Sequence, residues 1–255
     1  MSTIVSIHSY RGGTGKSNLA ANLASSIVQQ GKRVAVVDTD IQSPGLHVLF
    51  GMGPQKMGLT LNDYLYGRCS IEQAAYDVTG KLGPDVPGGG ALYLVPSSIK
   101  ASEITRVLRE GYEVNLLTDG FRKLIKAFRL DYLFIDTHPG LNEETLLSII
   151  ISDTLVLILR PDQQDFQGTA VTVEVARKLK LKKLLLVVNK ALPKLDFESL
   201  KQQVQETYNA PVAAILPVSE AMIELGSAGL FNLEYPEHPY SQGVQEIAAQ
   251  ILSAV

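Results

Sequence analysis

The sequence predicts an α/β fold, a three-layer sandwich with a mostly parallel central sheet of roughly seven to eight strands flanked by helices. Three observations predict it. Short β-branched or Leu-rich runs recur along the chain, they are almost continuously apolar, and longer stretches of helical period separate them. A sheet with one face in water alternates apolar and polar residues. Runs that are apolar at nearly every position fit strands covered on both faces.

The runs are Ile4–Ile7, Val34–Val37, Leu92–Val95, Tyr132–Ile135, Leu155–Leu159, Leu184–Val188 and Val212–Ile215. The clearest helix lies between the first two. Leu19, Leu23 and Ile27 recur at four-residue spacing, Ala20, Ala21 and Ala24 lie beside them, and Gly31 is placed to stop it. The order strand–helix–strand then repeats to the end. Gly83–Gly90 reads as a surface loop by composition. Near the C-terminal end, Val244, Ile247, Ala248 and Ile251 form an apolar helical face suited to packing on the sheet. No internal repeat or linker divides the chain, so 1–255 is read as one domain.

Composition narrows the class. The chain has 255 residues, 45% apolar and 19% charged, which is enough to bury its own core and excludes global disorder. Its single cysteine, Cys69, excludes an intramolecular disulfide and a thiolate metal site within one subunit. Cys69 is read as a buried small hydrophobe in a reducing cytoplasm. The most apolar stretch, Leu146–Leu159, is cut by Ser152, Asp153 and Thr154 and falls short of the ~18 residues a membrane span needs. The first ten residues, MSTIVSIHSY, carry no basic n-region, so no signal peptide is expected. A net charge of −3 argues against a strongly basic nucleic-acid protein and leaves room for a local patch.

The most informative residues are Arg11-Gly12-Gly13-Thr14-Gly15-Lys16-Ser17, which follow the first strand and open the first helix. Glycines let backbone N–H groups turn inward toward phosphate oxygens, and a helix N-terminus adds positive potential. Lys16 can neutralise the β- and γ-phosphates, and the Ser17 hydroxyl can ligate Mg²⁺. With Asn18, these residues form the phosphate end of a candidate ATP site, and the fold becomes that of a P-loop NTPase. Two acidic strand ends join them. Asp38 and Asp40 follow the second strand, where Asp40 can orient the attacking water and Asp38 can support the Mg²⁺ shell. Asp136 ends Tyr132–Ile135 and fits the acid that holds Mg²⁺.

The loop departs from the general G-x-x-x-x-G-K-[ST] form, since Tyr10 stands at the first glycine and a Gly pair follows Arg11. Here the chain resembles the ParA/MinD family of deviant Walker ATPases, whose loop reads K-G-G-x-G-K-[ST], and the resemblance runs over nearly the whole length. It implies that Arg11 takes the place of a signature lysine that reaches across an ATP-sandwiched homodimer. The alternative is an ion pair with a local carboxylate. It further implies that Asp40 positions water, that Gly140 belongs to a γ-phosphate-sensing switch, that Asn189 hydrogen-bonds adenine, and that Pro217 and Val218 pack on the base. His138 stands where the family has a proline. It reads as a solvated loop residue, with a switch residue as the alternative. Ser219 replaces a usual aspartate. The segment from Arg160 to Asp165 is expected near the dimer face.

Together these residues imply Mg²⁺-ATP binding and slow ATP hydrolysis, with Lys16, Asp40 and Arg11 as the catalytic set. Intact Lys16, Ser17, Asp40 and Asp136 argue against a non-hydrolysing scaffold, and the lack of a C-x-x-C motif argues against an iron–sulfur carrier. Two outputs stay open. One is a partitioning or positioning ATPase, stimulated by a partner protein, that grips DNA without sequence preference. Its candidate patch is Arg177, Lys178, Lys180, Lys182 and Lys183, which otherwise form a solvated helix end. The other is an ATP-switched module acting on protein partners alone. The stretch from Gln242 to Val255 has no Lys or Arg, so membrane binding through it is not expected. The expected location is cytoplasmic, at the nucleoid if DNA is bound.

Overall fold

All seven expected strands form, and an eighth joins them. In the computed structural model, which describes residues 2–253, the strands are β1 (Thr3–His8), β2 (Arg33–Asp38), β3 (Tyr76–Asp77), β4 (Ala91–Val95), β5 (Tyr132–Asp136), β6 (Thr154–Leu159), β7 (Lys183–Ala191) and β8 (Val212–Pro217). They make one sheet in the order β3-β4-β2-β5-β1-β6-β7-β8. Every pairing is parallel except that of β3 with β4, where Tyr76 faces Leu94 and Asp77 faces Tyr93. β3 is the unexpected strand. Two residues carry no periodicity, so only the tertiary pairing defines it.

The helices are α1 (Lys16–Val28), α2 (Leu46–Leu49), α3 (Leu61–Leu65), α4 (Ala101–Glu110), α5 (Asn115–Phe128), α6 (Glu143–Ile151), α7 (Gln163–Lys178), α8 (Phe197–Tyr208), α9 (Glu220–Leu225), α10 (Phe231–Glu234) and α11 (Pro239–Leu252). Strand alternation sorts the core into layers. Val34 and Val36 of β2 point to the α1 and α11 side, where Leu19, Leu23, Ile27, Val244, Ile247 and Ile251 are fully buried. Ala35 and Val37 point to the other side, against Leu61 of α3 and Leu117, Phe121 and Leu124 of α5. Beyond β1 that second face is covered by Ile149 of α6, Val173 of α7, and Val204 and Tyr208 of α8. α1 is buried almost all round, because its alanines let α11 lie close alongside.

One expectation about the core is corrected. Cys69 is only half-buried, at the rim of the α3–α5 cluster just after the turn that ends α3. Partial burial still pushes its thiol above the usual range.

Candidate functional site

β1 lies between β5 and β6, and the chain leaves β1 toward β2 on one side and β6 toward β7 on the other. The strand order therefore reverses at β1, and a crevice opens above its carboxyl end. The Ser9–Gly15 loop fills that crevice's floor. Gly13 and Gly15 take φ of 76° and 99°, and a Cβ on Gly15 would sit 2.5 Å from Asn189 Nδ2. Both left-handed turns need glycine, and the second also needs the missing side chain. α1 starts directly after Gly15 with no side-chain cap, so its first-turn N–H groups stay open to an anion. Lys16 is buried to 7% exposure and makes no ion pair among the described residues.

The loop is clamped from the end of β7. Asn189 Nδ2 donates to the Thr14 carbonyl at 2.7 Å, Asn189 Oδ1 accepts from the Lys190 amide at 2.9 Å, and Lys190 Nζ donates to the Gly13 carbonyl at 2.8 Å. Asn189, expected at adenine, thus spends one amide hydrogen on holding the loop, while its oxygen accepts from the neighbouring Lys190 amide. A second amide hydrogen remains for a ligand. Neither clamp was anticipated from the sequence, because its partners lie far apart along the chain.

Two adjoining pockets share Gly13, Gly15 and Asn18. One, of about 360 Å³, is lined by Asn189, Lys190, Pro217, Val218, Ser219, Met222 and Ile223. The other, of about 350 Å³, is lined by Gly12, Lys16, Ser17, Asp40, Ser43, His138 and Pro139. The first is a mostly apolar slot suited to a planar base, and the second is a polar chamber at the helix start suited to phosphates. Ser219, in place of the expected aspartate, caps α9 by accepting from the Met222 amide at 3.2 Å and meets His238 Nε2 at 3.2 Å.

The acids differ in what surrounds them. Asp38 is fully buried, with Oδ1 accepting from the Asp40 amide at 3.1 Å and Oδ2 from the Gly45 and Leu46 amides at 3.1 and 3.2 Å. Burial, then the charge of Asp136 beside it, pushes Asp38 well above the usual carboxylate range. Asp136 is also fully buried, and neither of its oxygens has a hydrogen-bond partner among the described residues. Burial pushes it up to about 7, against the opposing pull of Ser17 and Lys16 nearby. A buried carboxylate whose oxygens take no hydrogen bond from the described residues, next to the Ser17 hydroxyl that lines the phosphate chamber, fits a divalent cation. Asp40 lines the chamber itself.

Two histidines carry more than the sequence suggested. His138, expected as a solvated loop residue, holds Asp40 Oδ1 through Nδ1 at 2.7 Å. The reason is topological: β2 and β5 are neighbours, so the loops that follow them meet. His8, at the end of β1, bonds through Nδ1 to Thr137 Oγ1 at 2.7 Å, and Thr137 Oγ1 donates to the Ile7 carbonyl at 3.0 Å. Thr137 has one hydrogen, so His8 Nδ1 is the donor and its buried Nε2 is left without a partner among the described residues. Burial, with Lys16 and His138 nearby, lowers His8 to about 3 and keeps it neutral. A lone histidine has no spacing signal, and only its position beside the glycine-rich loop could have flagged it.

Arg11 lies with local carboxylates. Its guanidinium is 3.8 Å from Asp162 and 3.7 Å from Asp165 at the start of α7. Arg160 contacts the same two acids, both at 3.1 Å. Tyr10 packs where a Cβ on Gly168 would overlap its ring, which fixes the approach of the loop to α7.

The basic cluster stands elsewhere, where α7 ends and β7 begins, at the amino ends of the strands and so opposite the crevice at their carboxyl ends. Arg177 donates to the Tyr208 and Asn209 carbonyls at the end of α8. Lys178 pairs with Glu174 and Lys182 with Asp153, each at 2.7 Å, and Lys183 donates to the Gln250 carbonyl at 2.6 Å. Lys180 alone of the five has no such partner among the described residues.

A glycine-rich loop clamped under an uncapped helix, with a buried lysine and a free buried acid, defines a P-loop nucleotide-binding protein. Comparison with known proteins narrows the class. A family model described as an AAA domain matches residues 2–192. The chain is 26% identical, over 100% of its length and 89% of the relative's, to an uncharacterized ATP-binding protein of Methanocaldococcus jannaschii. Its fold is similar to that of the cell division ATPase MinD of Pyrococcus furiosus, with a TM-score of 0.81 at 21% identity over 100% of both chains. It is also similar to the septum site-determining protein MinD of Pyrococcus horikoshii, solved with Mg-ADP, with a TM-score of 0.78 at 21% identity over 98% of this chain and 96% of that one. The chain belongs to the ParA/MinD family of P-loop ATPases. No helix among the described residues is long and apolar enough to cross a membrane.

Proposed function

We propose that this chain is an ATP-driven switch in intracellular positioning, which dimerises around ATP, hydrolyses it slowly and acts on a protein partner. The observation that carries the ATPase reading is the free, buried Asp136 beside the chamber that Lys16 and Ser17 line. In this reading the base lies against Pro217 and Val218 with Asn18 and Asn189 alongside. The phosphates lie over the Gly12–Ser17 loop, where its N–H groups and Lys16 take their charge. Ser17 and Asp136 would hold Mg²⁺, which would supply charge neutralisation for the phosphates. Asp38, whose oxygens already serve three amides, shapes the loop that presents Asp40. Asp40 orients the attacking water. Phosphoryl transfer to water needs little else than such positioning and charge.

Dimerisation asks Arg11 to leave Asp162 and Asp165 and reach the nucleotide of a second subunit. Hydrolysis then returns it, and the subunits part. The relatives named for cell division and septum-site determination support a positioning role. A protein partner is favoured over DNA because Arg177 and Lys183 are committed to backbone carbonyls at Asn209 and Gln250, and exposed carboxylates at Glu174 and Asp153 offset the charge of Lys178 and Lys182. A random-sequence duplex at low salt tests this choice. No binding with Mg²⁺-ATP is expected. Binding with ATP and not ADP, weakening steeply with salt, would return the DNA reading. For the site itself, Lys16→Ala should abolish nucleotide binding, and wild-type turnover in that variant would remove the assignment.

A further inference from the structure

We propose that His138 is a positioning residue for ATP hydrolysis, acting through Asp40. The inference rests on the ATPase reading above and adds a residue to it. Asp40 Oδ1 is held twice, by His138 Nδ1 at 2.7 Å and by the Ser43 amide at 3.1 Å. Asp40 Oδ2 accepts no hydrogen bond from the described residues, and the carboxylate lines the phosphate chamber with Lys16 and Ser17. One oxygen is therefore fixed by the protein and the other is left for water. A carboxylate with one tethered oxygen keeps a single rotamer, and an untethered one samples several.

The tether is itself anchored. His138 stands on the loop after β5. Its carbonyl accepts from Thr145 Oγ1 at 3.3 Å, and the Gly140 amide donates to the Ser9 carbonyl at 3.2 Å. The loop carrying Asp40 is stitched to the same strand, where the Thr39 amide and hydroxyl donate to the Asp136 carbonyl at 2.9 and 2.8 Å. His138 thus joins the loop that orients water to the loop that begins at Asp136. Because a carboxylate only accepts, Nδ1 carries the proton.

The contact atom makes the test specific. An asparagine side chain can place its amide nitrogen near the position of Nδ1, whereas a glutamine amide falls nearer Nε2. Steady-state phosphate release from Mg²⁺-ATP is measured for wild type and for His138→Ala, His138→Asn, His138→Gln, Asp40→Ala and the His138→Ala/Asp40→Ala pair. His138→Ala should lower kcat about tenfold to a hundredfold with KM for ATP little changed, the cost of losing orientation alone. His138→Asn should recover most of that loss and His138→Gln should not. Adding His138→Ala to Asp40→Ala should cost nothing further. Nitrogen-15 spectra of the nucleotide-free chain supply a readout apart from turnover. The His138 ring should be protonated at Nδ1, and that signal should move in Asp40→Ala.

Unchanged kcat in His138→Ala, additive losses in the pair, equal rescue by Asn and Gln, or a proton on Nε2 alone would each overturn the proposal while leaving the ATPase reading intact. A wild type that releases no more phosphate than Lys16→Ala would overturn both.

Discussion

Asp38 and Asp136 stand opposite each other at the ends of neighbouring parallel strands, and the fold treats them in opposite ways. Both are fully buried. The loop after β2 turns back and points three amides at Asp38, so its oxygens are occupied by the chain itself. The loop after β5 climbs away through His138, Pro139 and Gly140 and offers Asp136 no amide, so that among the described residues only Ser17 and Lys16 stand near it and neither oxygen takes a hydrogen bond. The same side chain at the same level of the sheet is in one place structural glue and in the other an unmet demand for charge. A buried carboxylate with no partner is costly, which is why such groups mark places where a ligand completes the structure.

The sharpest way to break this contrast is to neutralise the free acid. Asp136→Asn should lower Mg²⁺-dependent phosphate release at least about a hundredfold, equivalent to ~3 kcal/mol of transition-state stabilisation. The same change should raise the melting temperature of the nucleotide-free chain at pH 8, because it removes a buried unpaired charge. Asp38→Ala should do the reverse. Stripping three amides of their acceptor should cost about 2–3 kcal/mol, or roughly 5–10 °C in a chain of this size, seen by calorimetry without ligand. If both variants moved stability the same way, the contrast would fail.

pH sharpens it further. Asp136 is pushed up to about 7 in the folded chain. A carboxylate raised by folding favours the native state while protonated, and that favour is lost as pH climbs through the folded value. The stability difference between Asp136→Asn and wild type should therefore widen from about pH 5 to pH 8 without metal. His8, lowered to about 3, acts in the other direction. Its buried neutral ring costs stability as pH falls below the usual histidine range, so the comparison is made against the variant and not on wild type alone. The smallest effect concerns Arg11. Asp162→Asn keeps the oxygen that caps α7 and removes one half-exposed ion-pair partner of Arg11 in each of the two subunits, worth under ~1 kcal/mol apiece, and should shift ATP-dependent dimerisation to protein concentrations up to about thirtyfold lower.

How far these features were legible in the sequence follows from how local they are. The seven longer strands announced themselves because burial on both faces makes them apolar at nearly every position. The glycine-rich loop announced itself because its spacing is contiguous. β3 did not, because two residues have no period. The free state of Asp136 and the occupied state of Asp38 did not either. Nothing in the two strand ends distinguishes them, and only the paths of the following loops do. The Asn189–Thr14 clamp and the His138–Asp40 bond join residues far apart in the chain, so no window of sequence contains them. The partners of the basic cluster were hidden in part for the same reason. Lys182 and Lys183 look free in sequence, and their partners Asp153 and Gln250 arrive from other elements.

The most direct measurement is sedimentation velocity of the full chain with Mg²⁺ and either ATP or ADP. A dimer with ATP and a monomer with ADP is the result expected of a switch that closes around the nucleotide and releases Arg11 from α7. A monomer in both states, with ATP demonstrably bound, would contradict it.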